Sequence, residues 1–282
     1  MKKKSYAKIF MFIILLLFFT ALSFEYIKEI GTKKIVIKEY NLTSKKIPKE
    51  LDSLKIVQIS DIHYGTTIQK KELKSIVKKI NYIYPDIVIL SGDLLSKNTD
   101  FKEEEITSIL KEIKVSSKYA VSGNEDFKNN LWKNILLNSG FKIIDDTYEL
   151  FYKESSSPII ISGVSTNLVN KKDISEKTSS SKDYISKNEN YYSIFVLHEP
   201  DYIDKLDLNS YDLVLSGHSH NGYINIPIIK NMFLEEGSQK YYENYYKVKN
   251  TDIYISNGLG TSSFNYRFNN RPSFNFYRLF SK

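Results

Sequence analysis

The chain has four histidines, and each stands in a short segment suited to holding a metal ion. His63 closes Ser60-Asp61-Ile62-His63, His198 follows Ile194-Phe195-Val196-Leu197, and His218 and His220 form Gly217-His218-Ser219-His220. Two histidine-free segments have the same form: Ser91-Gly92-Asp93 after Ile87-Val88-Ile89-Leu90, and Ser122-Gly123-Asn124-Glu125-Asp126 after Tyr119-Ala120-Val121. In chain order the donors are Asp61, His63, Asp93, Asn124, His198, His218 and His220. Carboxylate, imidazole and amide donors suit borderline divalent ions such as Mn, Fe or Zn. Seven donors exceed what one ion with an open position can use. Two ions sharing a carboxylate fit better, and such a pair can hold a bridging hydroxide for in-line displacement at phosphorus. No segment is diagnostic alone, since a lone Gly-Asp is usually a turn. His218 and His220 are more specific, because alternate side chains of an extended segment share one face.

The elements behind these residues must bring them to one edge. Residues 55–60, 86–91 and 118–122 read as buried strands. Apolar residues at helical spacing (Leu73, Ile76, Val77, Ile80) place a helix over 69–83, ended by Pro85, and further helices are expected over 102–114 and 127–138. This βαβαβ order implies parallel strands with crossover helices. Open α/β sheets gather ligands at the carboxyl ends of their strands. Strands are also expected at 34–42, 141–144, 148–152, 159–161, 192–197, 211–216, 223–229, 252–256 and 273–280, with an exposed, partly helical loop over 171–187. The expected architecture is two stacked sheets with helices outside, the first half mostly parallel and the second mostly hairpins.

At 282 residues, with 41% apolar and 26% charged residues, the chain is an ordinary globular protein with an unusual start. Residues 9–24 carry no charge and follow Lys2, Lys3, Lys4 and Lys8. A spanning helix needs roughly 20 apolar residues, and Tyr26-Ile27 extend the stretch toward that length. The expected organisation is a basic cytoplasmic stub (1–8), a signal anchor (9–27), a linker with a lead-in strand (28–53) and one domain (54–282). Lysines before the anchor place the domain outside the cytoplasm on a single-pass membrane protein. Ala21-Leu22-Ser23 offers a cleavage site that would instead release it. The net charge of +7 does not indicate a nucleic-acid partner, since four of the lysines precede the apolar run and the rest are scattered. The chain has no cysteine, which excludes disulfides, thiolate ligands and thiol nucleophiles. A Ser-His-Asp hydrolase is excluded by the lack of a Gly-x-Ser-x-Gly elbow.

Asp-x-His, Gly-Asp, Gly-Asn-x-Asp, an isolated His and Gly-His-x-His, over residues 54 to 280, resemble the signature of calcineurin-like metallophosphoesterases. The anchor, Leu197-His198-Glu199-Pro200-Asp201 and Gly258-Leu259-Gly260-Thr261-Ser262 with Arg267 and Arg271-Pro272 resemble its membrane-anchored or exported bacterial branch. The resemblance implies an α/β (α+β) four-layer sandwich, two mixed sheets face to face flanked by helices, here preceded by one transmembrane helix. It implies one ion on Asp61, His63, Asp93 and His220, and a second on Asp93, Asn124, His198 and His218, with Asp93 bridging. The implied activity is hydrolysis of a phosphoester or pyrophosphate by a metal-bridging hydroxide. The location points to a small-molecule or lipid-linked envelope substrate, such as a nucleotide-sugar lipid. A nuclease-like phosphodiesterase and a catalytically weak metal-binding module are the alternatives.

The chain departs from the family at Glu125, where a histidine is usual. A carboxylate beside a phosphate is repelled, and it protonates a leaving group poorly unless its pKa rises well above ~4.3. Glu125 is therefore a general acid of raised pKa, or the leaving group needs no proton, or turnover is slow. Asn124 is also placed as a phosphate donor, and Arg267 as either a phosphate clamp or a pin for the closing strand. The aromatics of Tyr241–Tyr246 and Phe264–Tyr277 read as packing of strand faces.

Overall fold

The computed structural model describes residues 2–96, 101–128, 131–227, 229–262 and 265–282. One helix carries the apolar start. It runs from Lys2 to Glu25 and continues through a π turn, Tyr26–Ile30, into a last turn, Gly31–Lys33. Its span Tyr6–Lys33 has mean hydropathy 2.4 and is long and apolar enough to cross a membrane. Apolar side chains from Ile9 to Phe24 are exposed all round it, as a lipid-facing helix requires.

Two six-stranded sheets follow, packed face to face. The first contains β1 (Val36–Ser44), β2 (Leu54–Ile59), β3 (Ile87–Ser91), β4 (Ser117–Val121), β5 (Lys142–Ile143) and the last strand, β12 (Ser273–Ser281). Their order is β1-β12-β2-β3-β4-β5. β2, β3 and β4 are parallel, as the βαβαβ reading required, and β5, expected in the hairpin half, extends them in parallel. β12 runs antiparallel to β2 and parallel to β1. The second sheet contains β6 (Thr147–Phe151), β7 (Ile159–Gly163), β8 (Ser193–Val196), β9 (Leu213–Ser216), β10 (Tyr245–Val248) and β11 (Thr251–Ile255), ordered β10-β11-β9-β8-β7-β6.

Between the sheets, Ile56, Ile87, Ile89 and Val121 meet Ile161, Ile194, Val196 and Leu215. Burying each such side chain stabilises the fold by about 1.5–3 kcal/mol. The outer face of the first sheet is covered by helices Lys70–Ile83, Glu103–Lys111 and Leu131–Asn138. The first of these starts at a capping box of Gln69 and Glu72 and stops at Tyr84, which is left-handed at φ 53° before Pro85.

Several elements differ from expectation. The second sheet is not mostly hairpins: β7, β8, β9 and β11 are parallel, and only its edges, β6 and β10, pair antiparallel. Long connections supply the crossovers, and periodicity inside a strand does not encode its direction. Residues 171–187 form two short helices, Ile174–Lys177 and Ser179–Ser186, the first capped by Asp173. The described residues of 223–229 form no strand; Ile224 makes a bridge to Phe268, and Tyr223 is turned to φ 48° to lie over His220. β10 was not anticipated. The helix expected over 127–138 starts at Leu131, with residues 129–130 outside the described residues, as is Phe264. The tyrosines pack on one another: Tyr245 lies on Tyr254, which contacts Tyr40 and Tyr277.

Candidate metal centre

Six of the seven predicted donors, Asp61, His63, Asp93, His198, His218 and His220, come together at the strand ends, and Asn124 follows Gly123, whose backbone packs against Asp93. β2 delivers Asp61 and His63, β3 delivers Asp93, and β4 delivers Asn124. β8 delivers His198, and β9 delivers His218 and His220. Asp61, His63, Asp93, His218 and His220 all take left-handed backbone, at φ 50°, 43°, 54°, 65° and 45°. Such conformations cost L-residues about 1–3 kcal/mol each and persist only where the surrounding structure enforces them.

The donors form two triads, Asp61/His63/His220 and Asp93/His198/His218, each with ligand atoms within 4.8 Å of one another. Asp93 joins them, its Oδ2 lying 3.2 Å from His198 Nε2 and 3.6 Å from His63 Nε2. Asp61 Oδ1 lies 3.6 Å from His220 Nε2 and 3.8 Å from His198 Nε2. His63 Nε2 and His220 Nε2 face each other at 3.2 Å. Asn124 Oδ1 is buried and has no hydrogen-bond partner.

Backbone carbonyls orient two of the rings. His198 Nδ1 donates to Ser91 O at 2.8 Å, and His218 Nε2 donates to Glu236 O at 2.7 Å. Each bond leaves the other ring nitrogen as a lone-pair donor, the usual arrangement behind metal-bound imidazoles. Asp61 is fixed by His218 N, at 3.0 and 3.1 Å from its two oxygens, and Asp93 Oδ1 accepts from Glu125 N at 2.8 Å.

Burial and mutual charge set the electrostatics of the cluster. Burial raises the Asp61 carboxyl, partly offset by His198 and His63. Burial also opposes charge on Asp93, but His198, His63 and His218 hold it well below the usual carboxylate range. Burial disfavours charging His63, yet Glu125, Asp93 and Asp61 outweigh it and push His63 up to about 9. His198 is likewise raised against burial by Asp93 and Asp61. Burial, with His63 and Arg267 nearby, keeps His220 far below its ordinary value.

Glu125 is 6% exposed, and its Oε2 lies 3.4 Å from His63 Nδ1. Arg267 is 1% exposed, donates from Nη2 to Gly260 O (2.7 Å) and Gly258 O (3.3 Å), and lies 3.1 Å from His220 Nδ1. Burial lowers this guanidinium to about 10, and Tyr223 stacks beside it. Arg271 is exposed.

Sequence reasoning overlooked the residues that hold these loops. Asp126 is fully buried and accepts four backbone N–H groups: Asp93 (3.0 Å), Gly123 (2.9 Å), Leu94 (2.9 Å) and Leu95 (3.4 Å). Glu199 accepts from Thr166 Oγ1 and Asn167 N, and Asn270 donates to His220 O at 2.6 Å. The last position of Gly-Asn-x-Asp was the available signal for Asp126. Gly123 is required by proximity, because a Cβ there would collide with Asp93 Oδ1 and Asp93 N.

The donor set fits two divalent ions. The unpartnered Asn124 Oδ1, two imidazoles pre-set by carbonyls and a carboxylate between two triads are complementary to a cation pair. Fold and site together define a metal-dependent phosphoester hydrolase. The family model of the calcineurin-like phosphoesterase matches residues 54–222, and the chain belongs to that family. It is 26% identical to the metallophosphoesterase YkuE of Bacillus subtilis (strain 168), covering 86% of this chain and 84% of that one. To YkoQ of the same organism it is 26% identical, over 88% and 92% of the two chains. It spans only 56% of a metallophosphoesterase of Campylobacter jejuni, at 26% identity over 76% of this chain. Among solved structures, NAD nucleotidase (NadN) of Haemophilus influenzae shares the fold at TM-score 0.50 and 15% identity, covering 73% of this chain and 45% of that one.

Proposed function

We propose that the chain hydrolyses a phosphoester or pyrophosphate bond at the outer surface of the cytoplasmic membrane, using the seven predicted donors to hold two divalent ions. The carrying observation is Asp93, whose Oδ2 stands between His198 Nε2 and His63 Nε2 at 3.2 and 3.6 Å. Asp61, His63, Asp93 and His220 would hold one ion, and Asp93, Asn124, His198 and His218 the other. When bound, such a pair supplies Lewis acidity to the phosphoryl oxygens and activates a water for in-line attack. The chain's own residues do the positioning. Ser91 O and Glu236 O set the tautomers of His198 and His218. Glu125 beside His63 Nδ1 supports a role in orienting that ring, leaving Nε2 for the ion. With Glu125 so engaged, the reading of a leaving group that needs no proton is favoured.

Membrane placement supports a lipid-linked substrate. Gly31, in the last turn of the apolar helix, packs so closely on Arg267 O that a Cβ there would collide with it. Arg267 in turn touches His220. The helix end and the metal centre therefore share one loop, which supports a site close to the bilayer surface.

The test is the full chain in detergent, loaded with Mn, Fe or Zn, assayed on aryl monoesters, diesters and pyrophosphates beside Asp93→Asn. Loss of the shared charge should lower activity at least about a hundredfold. Near-wild-type rates in the variant would overturn the two-ion reading.

A further inference from the structure

The loop that follows His218 and His220 is apolar. Of residues 223–234, Tyr-Ile-Asn-Ile-Pro-Ile-Ile-Lys-Asn-Met-Phe-Leu, only Lys230 is charged. That charge is folded inward: Lys230 is 5% exposed, with its Nζ 2.7 Å from Glu243 Oε1 and 4.9 Å over the Tyr242 ring. Ile226, Pro227 and Met232 face outward instead. Met232 is 79% exposed, more than any described large apolar side chain of the N-terminal helix. Ile226 O accepts from Ile229 N (3.1 Å) and Lys230 N (2.9 Å), and Ile229 O accepts from Met232 N (3.0 Å), which winds the loop into a tight spiral. Scattered apolar residues are ordinary on a protein surface. A loop that withdraws its one charge and presents its apolar side chains is suited to an apolar medium.

The loop stands beside the end of the apolar helix. Ile224 bridges Phe268, Asn225 N donates to Phe268 O at 2.9 Å, and Phe268 N donates to Tyr223 O at 3.0 Å. Phe268 is exposed and follows Arg267, whose carbonyl packs on Gly31. Asn269, Asn270 and Arg271 then share a cavity of about 330 Å³ with Gly31 and Tyr26. Phe24 ends the charge-free run, two residues before Tyr26 and seven before Gly31. At about 1.5 Å per residue, these rises are roughly 3 and 10 Å. A headgroup layer is roughly 5–8 Å thick. The segment from Arg267 to Arg271 is therefore level with the headgroups, and side chains reaching a few ångströms further meet the acyl chains. Arg271 and Tyr26, both exposed, suit that layer, a cation for lipid phosphates and an amphipathic ring.

We propose that the loop between Tyr223 and Leu234, together with Phe268, is a second membrane contact that inserts Ile226, Met232 and Phe268 into the bilayer boundary beside the helix. This rests on the apolar helix lying in a bilayer and is independent of the hydrolase reading. A single helix leaves the domain free to swivel about its axis, and a second point of insertion fixes its tilt. Tyr223, at the root of the loop, stacks on His220 at 4.4 Å between ring centroids. The contact thus holds the rim of the metal centre against the lipid surface.

The chain has no cysteine, so a single introduced thiol carries a label at one position. Full chains with Met232→Cys, Ile226→Cys, Leu16→Cys or Tyr82→Cys, each bearing an environment-sensitive fluorophore, are reconstituted in vesicles of phosphatidylcholine and phosphatidylglycerol, with or without bromine on the acyl chains. Leu16 reports the anchor. Tyr82 is the control, near the far end of helix Lys70–Ile83, whose start at Gln69 and Glu72 borders Lys28 and Lys33. Bromine should quench the labels at 232, 226 and 16 about twofold or more and leave the label at 82 unchanged. Adding Ile226→Asp to the Met232→Cys chain should restore at least about half of the lost emission. Unquenched loop labels beside a quenched label at 16 overturn the contact. So do loop labels that are shielded from water yet untouched by bromine, because protein then covers them. Quenching unchanged by Ile226→Asp means that the anchor alone holds the label there, and also overturns it. An unquenched label at 16 would remove the anchor reading and this contact with it.

Discussion

Replacing Asp126 by asparagine should damage the metal centre from a position that offers no ligand to it. Each Asp126 oxygen serves two backbone N–H groups: Oδ2 those of Asp93 and Gly123, and Oδ1 those of Leu94 and Leu95. Burial, with Asp93 beside it, pushes this carboxyl up to about 7, against the backbone N–H groups of Gly123 and Leu95, which favour the carboxylate. Asparagine keeps one acceptor and turns an NH₂ group toward the other pair of donors. Two buried N–H groups left unsatisfied, at about 1–3 kcal/mol each, give a loss of about 2–6 kcal/mol. For a domain of this size, that lowers the melting temperature by roughly 5–20 °C. The strain falls on the turns that carry Asp93 and Asn124, so metal affinity should also drop about 10–100-fold. Thermal unfolding of the metal-free protein reads the first effect, and titration with Mn or Zn reads the second. A variant that melts within about 2 °C of wild type and binds metal equally well would refute the argument that these hydrogen bonds hold the two turns.

Metal uptake should depend on pH with a defined sign. His63 is held at about 9 in the metal-free protein, and the ions require its neutral form, so uptake expels protons and tightens as pH rises toward about 9. Proton release measured by calorimetry in buffers of different ionisation enthalpy checks this, and an affinity constant between pH 6 and pH 9 would contradict it. Glu125→Ala should weaken metal binding about 10–100-fold by removing the carboxylate 3.4 Å from His63 Nδ1, whereas Glu125→Gln, which keeps an oxygen there, should lose less. If Glu125 were instead the general acid, Glu125→Gln would spare metal affinity and selectively slow alkyl phosphoesters relative to aryl ones.

The amino-acid sequence by itself determined the ligand-bearing segments, the parallel first sheet and the apolar leader. Those features are local: a buried strand is a short apolar run, a crossover helix shows its period, and Asp61, His63, Asp93, Asn124, His198, His218 and His220 each stand just past such a run. Only the tertiary structure decided what lies between these segments. The direction of β7, β8, β9 and β11 depends on how long connections pack, not on composition. Asp126 holds the turn of Asp93 and Asn270 that of His220, two of the five ligands at positive φ, and the tolerance of Asp and His for such backbone does not say where it falls. Glu125 meets His63 across 62 residues of chain, where only the folded sheet brings the groups together. Alternation and spacing record which face a residue presents. Which partner it finds there is settled when two sheets bury their common core and their strand ends converge.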